Sequence, residues 1–113
     1  MHEMALTESI LRLLEEQAAE QSFHKVRTIW LEIGALSTVD PESLRFCFDA
    51  IRSGTLAEGA VLEIIALPGQ AFCMDCMQTV EVAQRYDPCP VCGSERLQVT
   101  GGDSMRVKEL EVD

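Results

Sequence analysis

Cys73-Met74-Asp75-Cys76 and Cys89-Pro90-Val91-Cys92 stand twelve residues apart. A Cys-x-x-Cys loop is just long enough for both sulfurs to reach one ion at roughly 2.3 Å. Two such loops at this separation have the spacing of a tetrahedral zinc ribbon. Pro90 stiffens the second loop, and Gly93 after it turns readily with φ > 0. Met77 follows the first loop instead, so that turn is less clearly specified. Two disulfides or a redox Cys-x-x-Cys compete with zinc, but two matched pairs are more specific to the metal than either pair alone. Four thiolates close a coordination sphere and leave no position for an activated water, which argues against a zinc hydrolase.

Outward from the ribbon, the chain punctuates itself clearly. Leu6, Ile10, Leu13, Leu14 and Ala18 recur at helical intervals and predict a helix from Leu6 to about Gln21. Residues 25–33 read as a strand, with Ile29, Leu31 and Ile33 on one face, Val26, Thr28 and Trp30 largely on the other, and Gly34 ending it. Asp40-Pro41 is a helix start, a capping carboxylate before a proline at the first helical position. That second helix should bury Leu44, Phe48 and Ile51, run to Ser53 and stop at Gly54. Residues 60–67 make a nearly continuous apolar strand, and Gly101-Gly102 breaks the chain before a last strand at 104–112. The expectation is an α+β fold, a small mixed three-stranded sheet with two helices, interrupted by a zinc-ribbon module. Residues 1–69 and 101–113 form the discontinuous domain, and 70–100 the zinc-binding one. Cys47, left over from the quartet, reads as a small buried hydrophobe and His24 as a surface residue.

Composition narrows the partners. The chain has 113 residues, with 19 Asp and Glu against 9 Lys and Arg. Four thiolates around Zn²⁺ would leave a further net charge of about −2 at the metal. Ribbons that bind nucleic acid need a basic face, whereas residues 68–102 carry only Arg85 and Arg96 against four acids. Nucleic acid is therefore not an expected partner. There is no signal-peptide pattern and no apolar run of ~18 residues, so a cytoplasmic location with reduced thiols is expected, away from membranes. No nucleophile–base motif, phosphate-binding glycine loop or HExxH pair points to an enzyme.

The amino end offers different chemistry. In Met1-His2-Glu3, the α-amine, the His2 amide nitrogen and the His2 imidazole can close fused chelate rings on one metal. The Glu3 amide nitrogen or carboxylate can complete a plane. Such nitrogen-rich sets favour Ni(II) or Cu(II) over zinc, but spacing alone leaves open a frayed terminus that binds nothing.

Taken with Trp30-Leu31-Glu32-Ile33-Gly34-Ala35-Leu36-Ser37, Arg45-Phe46-Cys47-Phe48 and the two cysteine pairs, Met1-His2-Glu3 resembles the HypA/HybF family over essentially the whole chain. These are nickel metallochaperones of NiFe-hydrogenase maturation. The resemblance implies Ni²⁺ as cargo on His2, with the Met1 amine and Glu3 as contributors and Asp40 as a weaker candidate. It implies structural Zn²⁺ on Cys73, Cys76, Cys89 and Cys92. It further implies a HypB-type GTPase partner, delivery to the hydrogenase large subunit and, in some members, to urease maturation. Monomer and homodimer both stay open, as does the alternative of a zinc-ribbon protein-interaction module that transports no nickel.

Overall fold

A computed structural model describes residues 2–113, the His2 side chain excepted. The elements run α1 (His2–Gln21), β1 (Val26–Gly34), α2 (Pro41–Ile51), β2 (Val61–Leu67), β3 (Gly69–Cys73), β4 (Thr79–Val82), β5 (Leu97–Gly101) and β6 (Met105–Val112). They form an α+β fold with two three-stranded sheets, ordered β2-β1-β6 and β4-β3-β5. The chain divides into two compact units, one of Met1–Leu31, Val39–Ile64 and Val107–Asp113, the other of Glu32–Thr38 and Ile65–Arg106.

The first unit holds both helices. Helix α1 buries Thr7, Ile10 and Leu14 at three- and four-residue steps, while Leu13, expected on the same stripe, is exposed. Thr7 tolerates burial because its hydroxyl donates to Met4 O at 2.8 Å. The helix begins at His2 rather than Leu6. Apolar periodicity could not show those first turns, since the residues preceding Leu6 supply little of the stripe. Asp40 caps α2 as expected, accepting from Glu42 N at 3.2 Å and from Ser43 Oγ at 2.8 Å, with Pro41 opening the helix. Leu44, Cys47 and Phe48 form its buried face, and burying side chains such as Leu44 and Phe48 stabilises by roughly 1.5–3 kcal/mol each. The helix ends two residues early, at Ile51: Arg52 N still bonds Phe48 O at 3.1 Å, and Gly54 then turns with φ 78°.

Val26 N donates to Leu56 O, at the start of β1, and Ala35 N donates to Leu67 O, at its end. Strands β1 and β2 therefore run parallel, and residues 35–60 with α2 form the crossover such a pair requires. Gly34 N bonds Ser104 O and His24 N bonds Asp113 O, so β6 runs antiparallel to β1 and the sheet is mixed. Val26 departs from the expected alternation. It is buried with Ile29 and Leu31, while Arg27 and Thr28 both turn outward to Asp113 and Glu111. Pairing partners for those two polar side chains outweigh strict period-two alternation.

The second unit centres on β3, paired antiparallel with β4 from Gly69↔Val82 to Phe72↔Thr79 and with β5 through Cys73↔Leu97 and Ala71↔Val99. Its core is small: Leu36, Ala71, Cys73, Val80, Val82 and Cys89. Leu36 arrives from the turn after β1, held by Leu36 N to Gly102 O at 2.8 Å. That approach demands glycine on both sides. A Cβ on Gly34 would lie 2.1 Å from Gly102 O, and one on Gly102 (φ 72°) would lie 2.1 Å from Pro68 O. The two glycine breaks, at Gly34 and at Gly102, are thus one close backbone crossing.

Candidate metal centre

The two cysteine loops fold as copies of one another. Cys73 ends β3, and its carbonyl accepts from Met77 N at 2.9 Å while its N–H donates to Gln78 O at 2.9 Å. In the second loop the Cys89 carbonyl accepts from Gly93 N at 2.8 Å, and Cys89 N donates to Ser94 O at 2.8 Å. Gly93 takes φ 78°, and Met77 takes φ 57° in the same place. The first loop is therefore as fully turned as the second, with methionine in the left-handed region at a cost of about 1–2 kcal/mol.

All four Sγ atoms lie within 4.8 Å of one another. Cys73 Sγ is 3.6 Å from Cys92 Sγ, and Cys76 Sγ is 3.8 Å from Cys89 Sγ. A tetrahedron of sulfurs at 2.3 Å from a central ion has edges of about 3.8 Å. Disulfide sulfurs would stand about 2.05 Å apart, and the cysteines are free. The geometry fits a closed four-thiolate metal site.

Protonation of the thiols fits it too. Cys76 N points its hydrogen at Cys73 Sγ, 3.4 Å away, and this hydrogen bond chiefly lowers the Cys73 pKa to about 6. Desolvation chiefly, then the neighbouring sulfurs, push Cys76 up to about 12. The Ser94 N–H pulls Cys92 down, yet desolvation and its bonds to Cys73 and Cys89 outweigh that and leave it raised. One thiolate forms readily and further anions beside it do not. A dication removes that conflict, which is why protons and metal compete here.

Several supports have no signature in the sequence. Asp75, at the tip of the first loop, accepts from Ser94 Oγ and from Arg96 Nη1 (2.7 Å), and Arg96 N donates to Ser94 Oγ at 2.9 Å. The two loops are thereby tied to one another. Arg85 Nε donates to Leu36 O at 3.2 Å, fastening the leucine that completes the core around Cys73 and Cys89. Only the position of Ser94, next to a knuckle glycine, hints at any of this.

At the amino end, Met1 and the His2 side chain lie outside the described residues. Of the remaining candidates, Glu3 and Asp40 come together: Glu3 Oε2 accepts from Asp40 N at 3.3 Å. The Asp40 carboxylate itself is engaged in capping α2. His24 is exposed and Cys47 buried, as their sequence contexts suggest.

Fold and site together define a small α+β protein with a closed four-cysteine cluster fit to hold one metal ion. The chain belongs to the HypA family, described as hydrogenase/urease nickel incorporation metallochaperones, whose model matches residues 1–112. It is 62% identical over all 113 residues to hydrogenase maturation factor HypA of Azotobacter chroococcum mcd 1, and 60% identical to that of Azotobacter vinelandii, in each case covering both chains fully. The solution structure of the Ni metallochaperone HypA from Helicobacter pylori matches with a TM-score of 0.70 and 28% identity, over 97% of this chain and 96% of that one. A second solution structure, of a HypA protein, gives 0.72 and 30% over 99% and 96%. The family's task is nickel incorporation during hydrogenase maturation, and it is not an enzyme family.

Two outcomes follow from the knuckles. Met77→Gly should stabilise the zinc-loaded chain by about 0.5–1 kcal/mol, because relief of left-handed strain exceeds glycine's added chain entropy. Gly93→Ala should cost about 1–2 kcal/mol, since its φ is strained for alanine although nothing lies within 4 Å of the added Cβ. Thermal unfolding of the pair measures both. Zinc uptake by the reduced, metal-stripped chain at pH 7 should release more than one proton, from Cys76 and Cys92 at least. Affinity should fall as pH drops, and more steeply below about 6, where Cys73 also regains its proton. Calorimetry in buffers of different ionisation enthalpy counts those protons.

Proposed function

We propose that this chain carries Ni(II) on its amino terminus for NiFe-hydrogenase maturation, while Cys73, Cys76, Cys89 and Cys92 hold a structural Zn²⁺. The nickel ligands are the Met1 amine, the amide nitrogen and imidazole of His2, and Glu3. Asp40 serves chiefly as the helix cap that holds Glu3 nearby. The supporting observation is that α1 begins at His2. The first N–H groups of a helix have no intrahelical acceptor, so the amide nitrogens of His2 and Glu3 are free to lose a proton to a metal. The positive end of the helix also favours that loss.

The site gains its function from exposure. An acceptor can approach and replace nitrogen ligands one at a time, which a closed thiolate tetrahedron does not allow. Amine and imidazole bind metal only when deprotonated, so nickel affinity falls as pH drops through about 6.5. The discontinuous domain of 1–69 and 101–113 then handles nickel, and 70–100 is organised by zinc. A HypB-type GTPase supplies the nucleotide hydrolysis, and the hydrogenase large subunit receives the metal. Reduced thiols suit the cytoplasm, and no described helix is long and apolar enough to cross a membrane.

Crossed variants test the division. His2→Ala should lose specific nickel binding and keep its zinc and its far-UV circular dichroism. Cys76→Ala should lose zinc and the order of residues 70–100. Unchanged nickel affinity in His2→Ala, measured calorimetrically, refutes the amino-terminal site.

A further inference from the structure

The two knuckles match in backbone but not in exposure. Cys73 and Cys89, at their first positions, are 0% and 3% exposed. At their last positions Cys76 is half-buried, whereas Cys92 is exposed. The residue that follows differs in the same sense. Met77 brings a long side chain after Cys76, while Gly93 follows Cys92, and nothing lies within 4 Å of a Cβ placed on that glycine. Val91, on the other side of Cys92, is itself exposed. Open space therefore adjoins one sulfur of the quartet far more than the other three.

Behind this exposed sulfur stands a protected one. Cys73 Sγ, in the opposite knuckle and closed to solvent, is 3.6 Å from Cys92 Sγ. A disulfide requires about 2.05 Å, so the pair needs to close by only about 1.5 Å. Cysteines that react with oxidants combine thiolate character, access and a resolving sulfur alongside. With zinc bound all four sulfurs are thiolates, and Cys92 alone among them is exposed with a partner at that distance.

We propose that Cys92 is the point at which hydrogen peroxide enters this centre, and that oxidation joins it to Cys73 across the knuckles and releases the metal. This chemistry rests on the Zn²⁺ assigned above to the quartet and goes beyond it. The Cys92 thiolate attacks one peroxide oxygen, the O–O bond breaks, and hydroxide leaves, so that Cys92 carries a sulfenic acid. The Cys73 thiolate then attacks that sulfur, the S–O bond breaks and a second hydroxide leaves. Two thiolates and one peroxide become one disulfide and two hydroxides, which take two protons from solvent. The sulfurs lose two electrons and the peroxide oxygens gain them. Cys76 and Cys89 then remain as the only donors, too few to close a tetrahedron. Their sulfurs, 3.8 Å apart, are the pair left for a second equivalent. None of the donors proposed for nickel is a thiolate, so the oxidant removes the metal that organises residues 70–100 and spares the cargo site.

The decisive experiment titrates the full zinc-loaded chain with hydrogen peroxide at pH 7, without air, after its zinc content has been measured. A metallochromic dye follows released zinc, and free thiols are alkylated before tryptic digestion and mass mapping. Trypsin cleaves after Arg85, between the knuckles, so a bond across them links two peptides and a bond within one does not. The expected result is about one zinc released per peroxide consumed, with Cys73–Cys92 as the first disulfide and Cys47 still a thiol. A dithiol reductant with added zinc should restore the loaded chain. Met74 and Met77, 45% and 66% exposed, offer thioethers to the same oxidant. Oxygen confined to those methionines with zinc retained overturns the proposal, as does a first disulfide within either knuckle or one that includes Cys47. A chain that carries no zinc before oxidant is added overturns both the proposal and the assignment it rests on.

Discussion

Four sulfurs held at tetrahedral spacing are the constraint on which the second unit depends. Its core is Leu36, Ala71, Val80 and Val82 around Cys73 and Cys89, too few apolar side chains to offset the ordering of about fifty residues at about 1–2 kcal/mol of backbone entropy each. Sheet β4-β3-β5 is short, with strands of four or five residues. A bound dication adds folding free energy on the order of 10 kcal/mol, which such a unit lacks from packing alone. The Asp75–Ser94–Arg96 tie and the Leu36 wedge orient the loops, but neither offsets the desolvation that chiefly keeps Cys76 protonated in the bare chain.

The same closure that makes this centre stable unfits it for trade. With every coordination position taken by chain sulfur, an acceptor has nowhere to enter, and release means unfolding the loops. A cargo ion needs the reverse: few fixed ligands, solvent on one side and protonation equilibria near neutrality. The proposed site at the start of α1 is suited to this because the first N–H groups of a helix have no intrahelical acceptor, and Glu3 there accepts from the backbone of Asp40 at the start of α2. On the proposed assignment, one chain separates the metal that builds it from the metal it moves.

Signals carried within one stretch of sequence are legible from that stretch alone. Each Cys-x-x-Cys loop, the Asp40-Pro41 cap and the apolar β2 is a signal within a few consecutive residues, and the loops, the start of α2 and β2 stand where those signals place them. Contacts between distant segments are not legible in this way. Leu36 reads as the tail of a turn, yet it completes a core built by residues 71–89. Arg96 reads only as a charge, though it clamps one knuckle to the other. Val26 breaks alternation because Arg27 and Thr28 find partners at the end of the chain, more than eighty residues away in sequence. Met77 shows the limit differently: the loop's hydrogen bonds impose a glycine-like turn on a residue that does not prefer it.

The central claim is that nickel is held by the chain's first amine rather than by side chains alone. Adding one residue ahead of Met1 keeps every side chain and displaces that amine. Nickel titration of the extended and native chains by calorimetry, with zinc content measured in parallel, tests it directly. The expected result is at least a hundredfold loss of nickel affinity, about 2.7 kcal/mol, with zinc still one per chain. Equal nickel affinity in the two chains would contradict it.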